Sequence, residues 1–291
     1  MVNLLANAYA MERYLEIGAN VNKAFTKVSI QNKTVVDDSF DHPVTELVEI
    51  EVGFAAFVGR CEAFFDLLDR DTEAVRKYTG VVADENRCGW DLIVISTAAQ
   101  CFATAYTAFK RSLPYSHENT VWIIDRTIPP CPYSACPDPN DSRQFRELAG
   151  IAKPNTWTGD AYKAVLAIHD NHADYSYFTA YNIPVPRTFV WRGARARAAK
   201  PVFNGLEGIA KLDYFDLLRH AYIMVPQRIE SAPLLLGMVL SPELYRDDNT
   251  VKRLTTVKLS TNAEVKLRND LLKVKADLEQ QRQIAAHNNR P

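Results

Sequence analysis

Five of the fifteen prolines fall between Pro129 and Pro139, in the run IPPCPYSACPDPN. Proline fixes φ and offers no backbone N–H, so this run can be neither a helix interior nor a central strand, and whatever the chain builds must be interrupted here. The run reads as a linker or inter-lobe loop, which divides the chain into an N-terminal lobe (1–128), the loop itself (129–139), a C-terminal lobe (140–259) and a terminal helix with its tail (260–291). Elsewhere punctuation is sparse. Only 11 glycines occur in 291 residues, and 47% of the side chains are apolar, so long regular elements around a substantial core are expected. No internal repeat is present.

The local patterns favour helices, and the fold class expected is mainly α. Residues 4–19 carry apolar side chains at helical spacing. Phe54, Phe57, Val58, Cys61, Phe64, Phe65 and Leu68 share one helical face beyond Pro43, although LVEIEV at the start of that segment alternates like a strand. Asp71-Thr72-Glu73 marks another helix start, and Trp90 to Leu113 reads as a long helix by length and alanine content. Asn140 and Asp141 cap a short helix, Asp160 opens one that runs towards Tyr181, and Leu206 to Met224 is amphipathic. A short N-terminal β-hairpin is expected about Gln31-Asn32-Lys33. At the C-terminus, Thr261 with Glu264 forms a capping-box pattern, and Leu267, Leu271, Val274 and Leu278 trace a narrow apolar seam on a long helix.

Charge is distributed unevenly. From Tyr175 to Leu206 there is no Asp or Glu, while Arg187, Arg192, Arg195, Arg197 and Lys200 stand among seven aromatic residues. The chain as a whole has a formal net charge of -1. An opposite stretch, Thr34 to Gly59, holds six acidic residues and no Lys or Arg. Cations that follow phosphates beside aromatic faces that stack on bases are the chemistry of single-stranded nucleic-acid grooves, about 1–3 kcal/mol per stacked base. Phosphate contact falls to the five cations, and base stacking to Trp191 with Phe189 in support. The bland alternative is a solvated basic face with core aromatics. Opposed charged surfaces would also favour head-to-tail contact between copies of the chain.

Other signatures are weak or missing. His169-Asp-Asn-His172, with Asp174 beyond, could offer two imidazoles to a divalent metal, but no third ligand stands at a diagnostic spacing, so no metal or other cofactor is expected. Cys131 and Cys136 form only half of a zinc site. Asp66, Asp69 and Asp71 suit helix caps and solubilising charge. There is no GxxxxGK[ST], GxGxxG or GxSxG. Five scattered cysteines suggest a reducing compartment, and the N-terminus lacks the cationic region of a signal peptide, so a cytoplasmic or virion protein that is not secreted is expected. The uncharged run from Leu92 to Phe109 carries too many Ser, Thr and Gln side chains for a bilayer span.

The run DYFDLL, Asp213 to Leu218, resembles the aromatic-Asp-aromatic core of filamentous plant-virus coat proteins over six residues, too few to assign that family. The function expected from sequence is a non-enzymatic, self-assembling capsid or nucleocapsid subunit that forms homo-oligomers. It would bind single-stranded nucleic acid, RNA first, through Arg187, Trp191, Arg192, Arg195, Arg197 and Lys200, without membrane contact. The alternatives are an all-α enzyme with a metal-assisted site at His169 and His172, and an accessory subunit of a larger complex.

Overall fold

In a computed structural model, which describes residues 2–8, 10–19, 25–38, 53–80, 89–96, 101–151, 157–180, 185–193, 201–224 and 226–227, the chain is built on one open sheet. Its strands are β1 (Arg13–Ile17), β2 (Asn32–Asp37), β3 (Phe54–Val58), β4 (Trp90–Ile95), β5 (Ser116–Asp125), β6 (Tyr175–Ala180), β7 (Arg187–Arg192) and the two-residue β8 (Pro226–Gln227). The order across the sheet is β3-β2-β1-β4-β5-β7-β6-β8. Strands β1 to β5 are parallel, and β7 runs antiparallel to both β5 and β6. The chain goes outward from β1 to β3, returns to β4 beside β1, and continues the other way. The order therefore reverses between β1 and β4, which is the topological switch point of a doubly wound α/β sheet.

Side chains alternate between two covered faces. Leu15, Ile17, Ile93, Ile95, Trp122 and Ile124 point to one side, against α2 (Cys61–Arg70), α4 (Phe102–Ser112) and α6 (Tyr162–Asn171). Tyr14, Leu92, Val94, Val121, Ile123 and Phe189 point to the other, where Leu5 and Ala6 of α1 (Val2–Ala8) and the side chains of Phe25 and Ile30 meet them. Each large side chain taken fully out of water, such as Trp122, contributes about 1.5–3 kcal/mol. Residues Tyr162 to Ile168 of α6 are all buried. One charged member, Lys163, is satisfied at 3.0 Å by Asp160 and by donation to the carbonyl of Ala210 in α7 (Gly205–Ala210) at 2.8 Å.

The expectation of a mainly α fold is corrected by this sheet. The expected helix over 4–19 is α1 followed by β1. The segment 54–68 divides into β3 and α2, Trp90 to Leu113 into β4 and α4, and 160–181 into α6 and β6. No hairpin forms at Gln31-Asn32-Lys33, because Asn32 to Asp37 is one strand parallel to β1. The physical reason is clearest for β1 and β4, which lie inside the parallel part of the sheet. Parallel strands covered on both faces read as continuous apolar runs, which periodicity cannot separate from buried helix. Helix starts fare better. Asp71 caps α3 (Thr72–Thr79) by accepting from the Glu73 N–H at 2.8 Å. The helix expected at Asn140 is α5 (Pro139–Leu148), capped from Asp138. Between Pro129 and Asp138 there is neither helix nor strand, and strands from both sides of this loop belong to the same sheet. The expected 260–291 helix lies outside the described residues.

Candidate functional site at the carboxyl edge of the sheet

At the carboxyl ends of β1, β2 and β3 the backbone turns sharply and the strand ends are tied together. Gly18 donates to the Val36 carbonyl at 2.8 Å, Gly59 to the Asp37 carbonyl at 2.7 Å, and Ser96 to the Ile17 carbonyl at 2.8 Å. Gly18 has φ 74°, a left-handed conformation that costs other residues about 1–2 kcal/mol. A cleft of about 200 Å³ opens over these turns, lined among others by Gly18, Asp37, Asp38, Arg60, Cys61 and Thr104. Asp37, the last residue of β2, is buried. Burial pushes the Cys61 thiol up to about 12, so it meets the cleft as an inert apolar wall at neutral pH.

On the opposite face of the same edge lies a second cavity of about 250 Å³, between β1, β4, β5 and β7. Tyr14, Glu16, Ser96, Asp125 and Arg187 line it. The Tyr14 hydroxyl donates to Glu16 Oε2 at 2.6 Å, and Arg187 Nε donates to Asp125 Oδ1 at 2.6 Å. Burial raises both carboxyls. It takes Glu16 to about 7 against the lowering effect of hydrogen bonds from Tyr14 and Ser96, and it outweighs the Arg187 guanidinium at Asp125. Immediately after Asp125 the non-glycine Arg126 adopts φ 57° and donates to the Trp157 carbonyl at 3.1 Å.

The residues expected to bind nucleic acid do not form a groove among the described residues. Arg187 is ion-paired with Asp125 at the start of β7. Trp191 leans on Phe178 with ring centroids 5.8 Å apart, and Phe189 is fully buried against the same ring at 5.1 Å. Arg192 lies over the Tyr175 ring at 5.9 Å, on the face of β7 opposite to Arg187 and Trp191, because side chains alternate along a strand. Arg195, Arg197 and Lys200 lie outside the described residues. Arg187, Trp191 and Arg192, the three of the six that are described, therefore all contact side chains of neighbouring strands.

The two histidines of the metal reading meet different partners. His169 Nδ1 lies 2.6 Å from the Tyr177 hydroxyl, and that hydroxyl donates to the Ile223 carbonyl at 3.0 Å. His172 Nε2 instead meets the Tyr106 hydroxyl at 3.1 Å, within a ring cluster that includes Phe109 and Tyr175. No group of three metal-ligating side chains occurs among the described residues. Cys131 Sγ meets the Ser134 hydroxyl at 3.1 Å, and Cys136 Sγ donates to the Pro132 carbonyl at 3.8 Å. Asp66 and Asp69 both accept from Arg111, at 2.9 and 2.8 Å. The DYFDLL run is a helix, α8 (Tyr214–Arg219), whose capping box is made by Asp213 and Asp216. Among the described residues no helix is long and apolar enough to cross a membrane.

No protein-family model matches the chain, and no curated protein does. Among solved structures it is similar to the O-methyltransferase from Bacillus cereus in complex with SAH, at 15% identity and a TM-score of 0.41, over 66% of this chain and 79% of that one. It is also similar to the O-methyltransferase TomG from Streptomyces achromogenes, involved in tomaymycin synthesis and solved with SAM, at 16% identity and a TM-score of 0.41, over 66% and 78%. The expectation of a non-enzymatic capsid, nucleocapsid or virion subunit is corrected. It was built on helical lobes and an open cationic groove, and the chain instead forms a doubly wound sheet with a ligand-sized cleft at its switch point.

Gly18, Asp37, Glu16 and Asp125 escaped the sequence reading. A signal existed for the first two. An apolar run ending in Gly18, with an acidic residue about 20 positions on at the end of a second run, is the spacing of a nucleoside-binding β-α-β unit.

Proposed function

We propose that the chain is a methyltransferase that binds S-adenosylmethionine in the cleft over β1, β2 and β3. The observation that carries the reading is the sheet itself. Its order is 3-2-1-4-5-7-6 with an antiparallel seventh strand, the arrangement of Rossmann-like methyltransferases, and its cleft opens at the switch point, where open α/β sheets bind ligands. Two features of the cleft fit the cofactor's adenosine end. Asp37 lines the cleft at the end of β2, the position from which an acidic residue accepts hydrogen bonds from ribose hydroxyls in nucleoside-binding folds. Gly18 presents backbone without a Cβ, so the ligand can approach β1 closely.

A dinucleotide fits less well. Its pyrophosphate needs the glycine-rich GxGxxG turn, and the chain has none. When bound, S-adenosylmethionine supplies an electrophilic methyl group. Asp37 would hold the ribose, Gly18 the close approach, and Arg60 and Cys61 the outer wall. Calorimetric titration with S-adenosylhomocysteine tests the reading. Binding is expected, with a raised melting temperature, and NADH should give neither. No heat and no thermal shift with S-adenosylhomocysteine would overturn it.

A further inference from the structure

The cavity on the α1 face of the carboxyl edge contains two buried carboxyls and one paired guanidinium. Asp125, buried, has its counter-ion, because Arg187 Nε is 2.6 Å away. Glu16, 4% exposed, receives hydrogen bonds from Tyr14 and Ser96 but has no ion pair among the described residues. Both donors are neutral. They orient an ionised carboxylate without cancelling its charge, and an uncompensated charge in a dry site is costly. Among the described residues, the remaining groups that face the cavity supply no further cation beside Glu16. Lys27 reaches it only from an exposed rim, Asn3 is neutral, and Val28, Val94 and Ile123 are apolar. With both carboxyls ionised, the Glu16, Asp125 and Arg187 set carries one negative charge in excess.

We propose that this cavity binds a small organic amine as its ammonium ion, with Glu16 as the counter-ion and Val28, Val94 and Ile123 as the wall for its hydrocarbon part. The cavity opens to solvent, and its volume of about 250 Å³ leaves room for such a ligand. An ammonium group beside Glu16 neutralises the excess charge and keeps the carboxylate ionised at neutral pH, which burial alone would not do. The cavity opens at the same edge as the adenosine cleft, on the other side of β1, whose side chains alternate between Ile17 in the cleft and Glu16 in the cavity. If the chain binds a methyl donor as read above, an amine held here is the methyl acceptor. The binding itself does not depend on that reading.

Calorimetric titration of the full chain with n-butylammonium chloride, against 1-butanol as the neutral isostere, tests the proposal. Butylammonium should bind roughly tenfold or more tightly than butanol. Its binding should strengthen as pH rises from 6 to 8, with proton release near pH 6 seen as a dependence on buffer ionisation heat. Glu16→Gln, which keeps size and shape, should abolish the preference, and Val28→Phe should block the site while leaving the charge in place. Unchanged S-adenosylhomocysteine binding in both variants would show that they are folded. Equal affinity for butylammonium and butanol, or indifference to Glu16→Gln, overturns the proposal. So does competitive displacement of butylammonium by S-adenosylhomocysteine, which would assign the ammonium site to the cofactor. Glu16-dependent butylammonium binding without any S-adenosylhomocysteine binding would sustain this site while removing the methyltransferase reading.

Discussion

Asp91 and Glu16 are carboxylates on adjacent strands at opposite edges of one sheet, and the protein titrates them in opposite directions. At the amino edge, burial would raise Asp91, yet His117 at 2.8 Å and the Glu12 and Arg13 backbone N–H groups, each at 2.8 Å, hold it below the usual carboxylate range. At the carboxyl edge burial wins, and Glu16 rises to about 7. The difference separates a clamp from a site. Asp91 is satisfied three times over and ties β4 to β1 and β5. Glu16 lines a cavity with no ion-pair partner among the described residues, the condition under which perturbed titration marks function.

The largest effect that tests this contrast belongs to the carboxyl edge. Arg187→Met leaves Asp125 buried without its cation and should cost about 3–5 kcal/mol in urea denaturation, while S-adenosylhomocysteine affinity stays unchanged. A small loss would mean that water reaches Asp125 and that the cavity is wet.

Glu16 should then impose a pH dependence of roughly 3 kcal/mol. Its folded value, about 7, lies above the ordinary glutamate value of 4.5. Its favourable contribution is therefore complete below about pH 4.5 and is lost as pH rises through about 7. Comparing wild type with Glu16→Gln at pH 5 and pH 8, the wild type should lose stability relative to the variant as pH rises. A parallel pair of pH profiles would refute the raised carboxyl.

Asp91 should behave in the reverse sense. Asp91→Ala strands two backbone N–H groups and His117, at a cost of about 2–3 kcal/mol near pH 7. Because its folded value is depressed, this advantage of the wild type is present above the normal carboxylate range and fades as acid titrates the folded group. Chemical denaturation at pH 7 and pH 3 measures it.

The smallest effect is on binding alone. Asp37→Asn should weaken S-adenosylhomocysteine by roughly 1.5 kcal/mol, about tenfold, since a charge-assisted hydrogen bond to ribose becomes a neutral one. Equal affinity in the variant would remove Asp37 from the cofactor site and leave the cleft to Gly18 and its neighbours.

How much of this was legible depended on distance along the chain. The loop at Pro129 to Asp138 and the cap at Asp71 could be read, because each depends on residues within a turn of itself. The strand β4 could not. Its residues open the uncharged run from Leu92 to Phe109, which also contains most of α4, and no period distinguishes the two halves. The acid-free stretch misled for a related reason. The carboxylate that neutralises Arg187 is 62 residues away, in β5, so a count of local charge made a paired cation look free. Asp37 was counted as one acid in an acidic segment, where its position at the end of β2 gives it a separate role.

The amino-acid sequence by itself determined where regular structure must break, where several helices begin, and which side chains are apolar enough to be buried. Those properties follow from φ restrictions, capping hydrogen bonds and side-chain hydrophobicity, all of which act over a few residues. Only the tertiary structure decided which apolar runs became strands, where the sheet reverses its order, and that Gly18 and Asp37 share one cleft while Glu16 and Asp125 share another. Strand pairing joins residues far apart in the chain, and the shift of a carboxyl such as Glu16 depends on the solvent that folding removes from around it.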